Sequence, residues 1–127
     1  MRLFSYNSKH KIIVGLLLIG FSAYQFTGKR TSASYFKNGN TKQTGSIVNG
    51  KNHGKWIWYY ENGNKKIEGM FNNGIRESKW ITYNTNGAIE TESYYKNDKL
   101  NGRFIKKDAT GNIILDLSYV NDVIINN

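Results

Sequence analysis

The side chains of this 127-residue chain that could do chemistry are two histidines, nine carboxylates and an evenly spaced set of cations. Cysteine is absent, which excludes a thiol nucleophile, a disulfide and a thiolate-bound zinc. His10 precedes an apolar run, and His53 lies in the turn-like stretch Asn52-His53-Gly54. Neither has a base, nucleophile and orienting group beside it in the pattern that acid–base or covalent catalysis needs. Glu68, Glu92 and Asp116 recur every 24 residues. If each step is two strands, the carboxylates stand about 10 Å apart. That is too far to share a cation whose oxygen ligands lie at roughly 2.3–2.6 Å. Lys55, Lys79 and Arg103 recur at the same spacing among aromatic residues, a mixture that can hold single-stranded nucleic acid. Acids are interleaved with these cations, however, so nucleic acid is not the expected partner. The glycines sit in Asn-Gly turns rather than in a strand-to-helix phosphate loop. No catalytic residue, cofactor or metal is expected, and the chain reads as a binding module rather than an enzyme.

The formal net charge of +9 is unevenly placed. Residues 1–30 contain Arg2, Lys9, Lys11, Lys29 and Arg30 and no acid, whereas the rest sets 13 basic residues against nine acidic ones. The early cations flank the uncharged run from Ile12 to Tyr24. Its apolar core has the length of an export-signal h-region, and extended to Thr27 it makes a short membrane-spanning helix. A cleaved signal and a retained anchor both fit. Either places the remainder across the membrane, in the periplasm or at the cell surface. Residues 1–28 are therefore read as signal or anchor, in the form of a hydrophobic helix. Residues 29–34 are read as a linker and 35–127 as one repeat domain.

The elements that must position these side chains come from a 24-residue repeat without insertions. Gly39, Gly63, Gly87 and Gly111 form one column. Trp56, Trp80 and Phe104 form another, as do Ile57, Ile81 and Ile105, and Ile47, Phe71, Tyr95 and Tyr119. Gly54, Ser78 and Gly102 form a column of small residues. A period in this range signals a repeat architecture. Each unit reads as two strands rich in aromatic and β-branched residues, joined at Asn-Gly, the strongest short hairpin signal. Successive hairpins without crossovers give an all-β, elongated antiparallel meander.

Two-residue turns at Asn62-Gly63 and Asn73-Gly74 would place Trp56 opposite Gly69, and Ile67 opposite both Trp58 and Trp80. One face then carries Trp56, Trp58, Ile67, Phe71, Trp80, Tyr95, Phe104, Leu115, Leu117 and Tyr119. The other carries Ile57, Tyr59, Ile81, Tyr83 and Ile105, with Glu68 opposite Lys79 and Glu92 opposite Arg103 as weak, exposed ion pairs. Trp56 is expected to cover Gly69. Trp80, in the middle, is expected to be the most buried of its column. A single sheet has no second layer for its apolar face, so Trp56, Trp58, Phe71, Trp80, Tyr95, Phe104 and Tyr119 are the candidate binding face.

Asn49-Gly50-Lys51-Asn52-His53-Gly54-Lys55-Trp56, then Tyr60-Glu61-Asn62-Gly63, then Gly69-Met70-Phe71-Asn72-Asn73-Gly74 resemble the MORN repeat (membrane occupation and recognition nexus). The nearest likeness is to its bacterial variant, found in YwqK-type antitoxin components of toxin–antitoxin systems. The resemblance spans about residues 35–122. It implies a scaffold that binds protein or lipid, or that self-associates. A protein partner or a second copy is the first expectation. Anionic lipid or an envelope polymer is the alternative, and an antitoxin role a further one. The third unit departs from the pattern, with Lys107 where Tyr59 and Tyr83 stand before it and Thr110 ahead of Gly111.

Overall fold

The computed structural model describes residues 28–125, and the expected N-terminal helix lies outside them. Ten strands run in chain order: β1 Arg30–Tyr35, β2 Thr41–Val48, β3 Lys51–Tyr59, β4 Lys65–Asn72, β5 Ile75–Tyr83, β6 Ile89–Lys96, β7 Lys99–Leu100, β8 Gly102–Lys107, β9 Ile113–Val120 and β10 Val123–Ile125. They form a single antiparallel sheet in which neighbours in sequence are neighbours in space, with β7 and β8 as two pieces of one strand position beside β6. The segment expected as a linker, 29–34, supplies most of β1, which pairs with β2 from Arg30↔Ile47 onward. The alternating Ser32-Ala33-Ser34-Tyr35 is competent to pair, and β2 offers it a free edge.

The turns at the two ends of the sheet differ. Asn73 and Gly74 both have positive φ, 50° and 85°. They form the two-residue turn whose twist matches that of its strands. At the other end the loops have three residues. Tyr60 N–H donates to Asn64 O at 2.8 Å, Gly63 N–H donates to Tyr60 O at 3.0 Å, and Gly63 has φ 90°. The two-residue turn expected at Asn62-Gly63 is thus one residue longer. A register shift between Trp58 and Tyr59 absorbs the difference, so Trp56↔Gly69 and Trp58↔Ile67 still pair.

A larger departure lies between units. Met70 pairs with Glu77, but Glu68 pairs with Ile81 and Ile67 with Thr82. Ser78, Lys79 and Trp80 therefore stand against the single residue Gly69. The same bulge sets Gly54, Lys55 and Trp56 against Gly45. Its first residue has positive φ each time: Gly54 at 73°, Ser78 at 60° and Gly102 at 131°. The column of small residues marks this bulge, which needs a left-handed backbone. Ile67 accordingly faces Thr82 rather than Trp80. Glu68 and Glu92 face Ile81 and Ile105 rather than Lys79 and Arg103. The slip is two residues, and a strand alternates with period two, so every side chain keeps its expected face.

The bulge also changes what each indole covers. A Cβ built on Gly45 would overlap the Trp56 ring, and one on Gly69 would overlap the Trp80 ring. Each ring lies over the small residue of the preceding strand, so it is Trp80, not Trp56, that covers Gly69. Trp56 is the most buried of its column at 3% exposure, while Trp80 is half-buried. Trp56 Nε1 donates to Ser46 O at 3.1 Å. Trp80 Nε1 is buried without an acceptor, which costs part of what its burial contributes.

Gly54→Val should destabilise the sheet by about 1–3 kcal/mol, because a β-branched residue is strained at positive φ. Ser78→Gly should be neutral or mildly stabilising. Thermal unfolding of the two variants checks this.

Candidate functional site

The ring row is built by β3 to β6. Trp56 stacks on Trp58 with ring centroids 5.8 Å apart, and Trp58 on Trp80 at 5.9 Å. Phe71 stands edge-on to Trp80 at 5.0 Å, and Trp80 meets Tyr95 at 6.0 Å. Phe104 and Tyr119 form a separate pair at 6.3 Å. Of the seven residues expected as a binding face, five thus make one continuous row and two stand apart. Trp56 is buried and the other six are half-buried. They bury one another, so the row is the core of the sheet as well as its apolar surface. Arg76 caps one end of the row, with its guanidinium 4.1 Å from the Tyr95 centroid.

The opposite face carries the carboxylates. Lys55 reaches Glu68 at 2.8 Å and Lys65 reaches it at 3.1 Å, while Tyr83 Oη donates to its other oxygen. Glu92 takes Lys79 and, at 3.2 Å, Lys107. Arg103 Nε meets Asp116 at 2.8 Å. Lys55, Lys79 and Arg103 each pair with the acid of their own hairpin, not with the acid of the preceding one. Lys107, where the repeat otherwise has tyrosine, fills the same role toward Glu92 that Tyr83 fills toward Glu68.

The carboxylates of the Glu68 and Glu92 pairs are more enclosed than the exposed ladder expected from the sequence, whereas Arg103 and Asp116 are exposed. The Glu68 side chain is only 13% exposed. Burial alone would raise its pKa, but the hydrogen bonds from Lys55, Tyr83 and Lys65 outweigh burial and hold it at about 2. Burial and the Glu68 carboxylate push the Tyr83 hydroxyl up to about 12. Hydrogen bonding from Lys79 is the main cause that lowers Glu92. A hollow of about 200 Å³ lies between Lys55 and Lys79 with Glu68 beside it, but both lysines are already paired. Among the described residues no group of three or more His, Asp or Glu side chains could hold a metal ion.

Both ends of the sheet are stitched from repeat to repeat. Asn38 and Asn40 donate their side-chain amides to Glu61 O at 3.1 and 2.8 Å, and Asn62 and Asn64 donate to Thr85 O at 2.9 and 2.8 Å. Tyr60 Oη donates to Tyr83 O at 2.8 Å. At the other end the N–H groups of Asn73, Asn97 and Asn121 donate in turn to His53 Nδ1, Glu77 Oε1 and Asn101 Oδ1. His53 is therefore one acceptor in a column of turn clamps. The sequence shows the Asn-Gly repetition but not these acceptors, since histidine, glutamate and asparagine share no residue type.

Residues 52–73 and 76–97 each match the family model described as a MORN repeat variant. Those two stretches are similar to MORN repeats. The two matches coincide with the β3–β4 and β5–β6 hairpins, which hold the ring row and both half-buried carboxylates, Glu68 and Glu92. No curated protein matches the chain. Among the described residues no helix is long and apolar enough to cross a membrane, and the apolar run from Ile12 lies outside them.

The Glu68 site makes a pH prediction. Its carboxyl titrates lower in the folded state than its ordinary 4.5. The stabilisation is therefore complete above that value and is lost as pH falls toward about 2. The loss should be on the order of 2–3 kcal/mol. Urea titrations of wild type and Glu68→Gln should converge across this window.

Proposed function

We propose that the chain is a non-catalytic binding or scaffolding module of the cell envelope, with the ring row as its contact surface for a protein partner. The observation that carries this reading is the row from Trp56 to Tyr95 on a sheet that has no second layer among the described residues. The rings are packed against one another and so held rigid, yet six of the seven aromatic residues on that face keep part of their surface open. Rigid aromatic side chains of this kind supply most of the energy of many interfaces at a low entropic cost. The envelope location rests on the apolar run flanked by Lys9, Lys11, Lys29 and Arg30. An antitoxin role is a special case of the same reading, with a toxin as the protein partner.

Binding to anionic lipid or polymer would draw on the cations of the opposite face. Lys55, Lys79 and Arg103 are each engaged by a carboxylate there, which favours the ring row and a protein.

The test is capture from intact cells with wild type and Trp58→Ala, chosen because Trp58 is half-buried and central in the row. A protein partner should be retained by wild type and weakened about 30-fold by the variant, the ~2 kcal/mol of an interface aromatic. Unchanged retention by a folded Trp58→Ala chain would count against the ring row. Flotation with anionic vesicles that survives Trp58→Ala would favour the lipid reading.

A further inference from the structure

The sheet has two ends, and the repeat makes them complementary. β1 has β2 on one side and no strand on the other among the described residues. At the far end, β10 pairs with Ser118, Tyr119 and Val120 of β9, and Ile113 to Leu117 have no strand on that side among the described residues. In the repeat β1 is equivalent to the second half of β3, and β9 is equivalent to β2. β2 and β3 pair as Gln43↔Trp58 and Thr44↔Ile57. Moved along by whole repeats, that register sets Leu115 against Ser34 and Asp116 against Ala33 of a following unit.

We propose that a second copy of this chain supplies that unit, so that β1 of one molecule adds to the free half of β9 of another and the sheet continues from copy to copy. Three features at the two ends support a fit of this chain to itself.

The first is size. Inside the chain each ring lies over a small residue of the preceding strand: Trp56 over Gly45 and Trp80 over Gly69. In the same column Phe104 follows Ser93, which is 6% exposed. At the junction between copies the small residue is replaced by Leu117, and the ring is replaced by Ser32. Large and small are exchanged, so the pair still fills one gap.

The second is polar pairing. Tyr83 Oη donates to Glu68, and the Lys107 ammonium reaches Glu92, in each case from 15 residues further along the chain. The next acid is Asp116, and the residue that falls in the donor position is Tyr35 of the second copy. Tyr35 is 64% exposed, whereas Tyr59 and Tyr83 are half-buried. The Asp116 side chain is 41% exposed, against 13% for Glu68 and 16% for Glu92.

The third is apolar exposure. Ile113, Ile114 and Leu115 are 53, 57 and 39% exposed. The residues equivalent to Ile113 and Leu115 within the chain, among them Ile89 and Ile67, are half-buried beneath the neighbouring unit. An uncovered strand edge of this kind is a template for a further strand.

The contact is head-to-tail and joins different surfaces, so it extends as an open array unless the rotation per copy closes a ring. It is a self-contact at the edges of the sheet, separate from the ring row, and its failure would leave the proposed binding role untouched.

The natural absence of cysteine makes the register directly testable. Full-length Ser34→Cys and Leu115→Cys chains, each in detergent, are oxidised alone and as a mixture. Paired strand positions lie within disulfide reach, so a disulfide-linked dimer should form in the mixture and not in either sample alone. Equal linkage in the separate samples, or none in the mixture, would overturn the proposal. A second measurement uses size. Ser32→Trp should abolish linkage in the Cys background by clashing with Leu117, and adding Leu117→Gly should restore it. Linkage indifferent to both changes would also overturn the proposal. Circular dichroism of each variant confirms that a loss is not unfolding.

Discussion

Among the described residues the sheet has no second layer, and its apolar face finds cover within itself. In this chain the bulge at Gly54, Ser78 and Gly102 provides it. By inserting two residues, it tips each ring over the small residue of the strand before it. The glycine then acts as a floor for the ring. A buried indole withdraws a large apolar area from water, and here that area is withdrawn against backbone rather than against another layer. The ring row, the burial of Ser93 and the pairing of the carboxylates on the opposite face all follow from this geometry.

The carboxylates show how the bulge reaches the other side of the sheet. Had the strands run in plain register, Glu68 would face Lys79 in an exposed, weak pair. The slip instead brings Tyr83 within reach and leaves Lys55 and Lys65 to close on the same group. Glu68 becomes a nearly enclosed anion with three donors. A buried charge contributes favourably only when its hydrogen-bonding capacity is filled, and that condition is met here. The repeat preserves the arrangement when a residue type changes, since Lys107 replaces the tyrosine and still reaches Glu92.

Much of this was legible in the residues and some was not. The 24-residue columns carry the meander, the hairpin positions and the division of side chains between two faces. The faces survive because a displacement of two leaves strand alternation intact. The pairing partners do not survive, because a bulge changes the count on one strand without disturbing the repeat. The signal for it was present as the small-residue column, which reads equally as close packing. The turn clamps of His53, Glu77 and Asn101 were hidden for another reason: three different side chains accept the same kind of N–H bond. The first strand was missed because Arg30 to Tyr35 holds no large apolar residue before its last position; it is held by β2's edge rather than by burial of its own.

If the binding role is right, ring row and scaffold cannot be altered separately, because the residues that meet a partner are the residues that hold the sheet together. That dependence starts from the ring lying on its glycine, and a double-mutant cycle between Gly69→Ala and Trp80→Ala measures it most directly. With the indole in place, a methyl at position 69 intrudes on it and should cost about 1–3 kcal/mol. With the indole gone, the same methyl should cost almost nothing, giving a coupling of about 1–3 kcal/mol between the two sites. Additive effects of the two changes would contradict it, since Trp80 would then owe none of its stability to the residue beneath it.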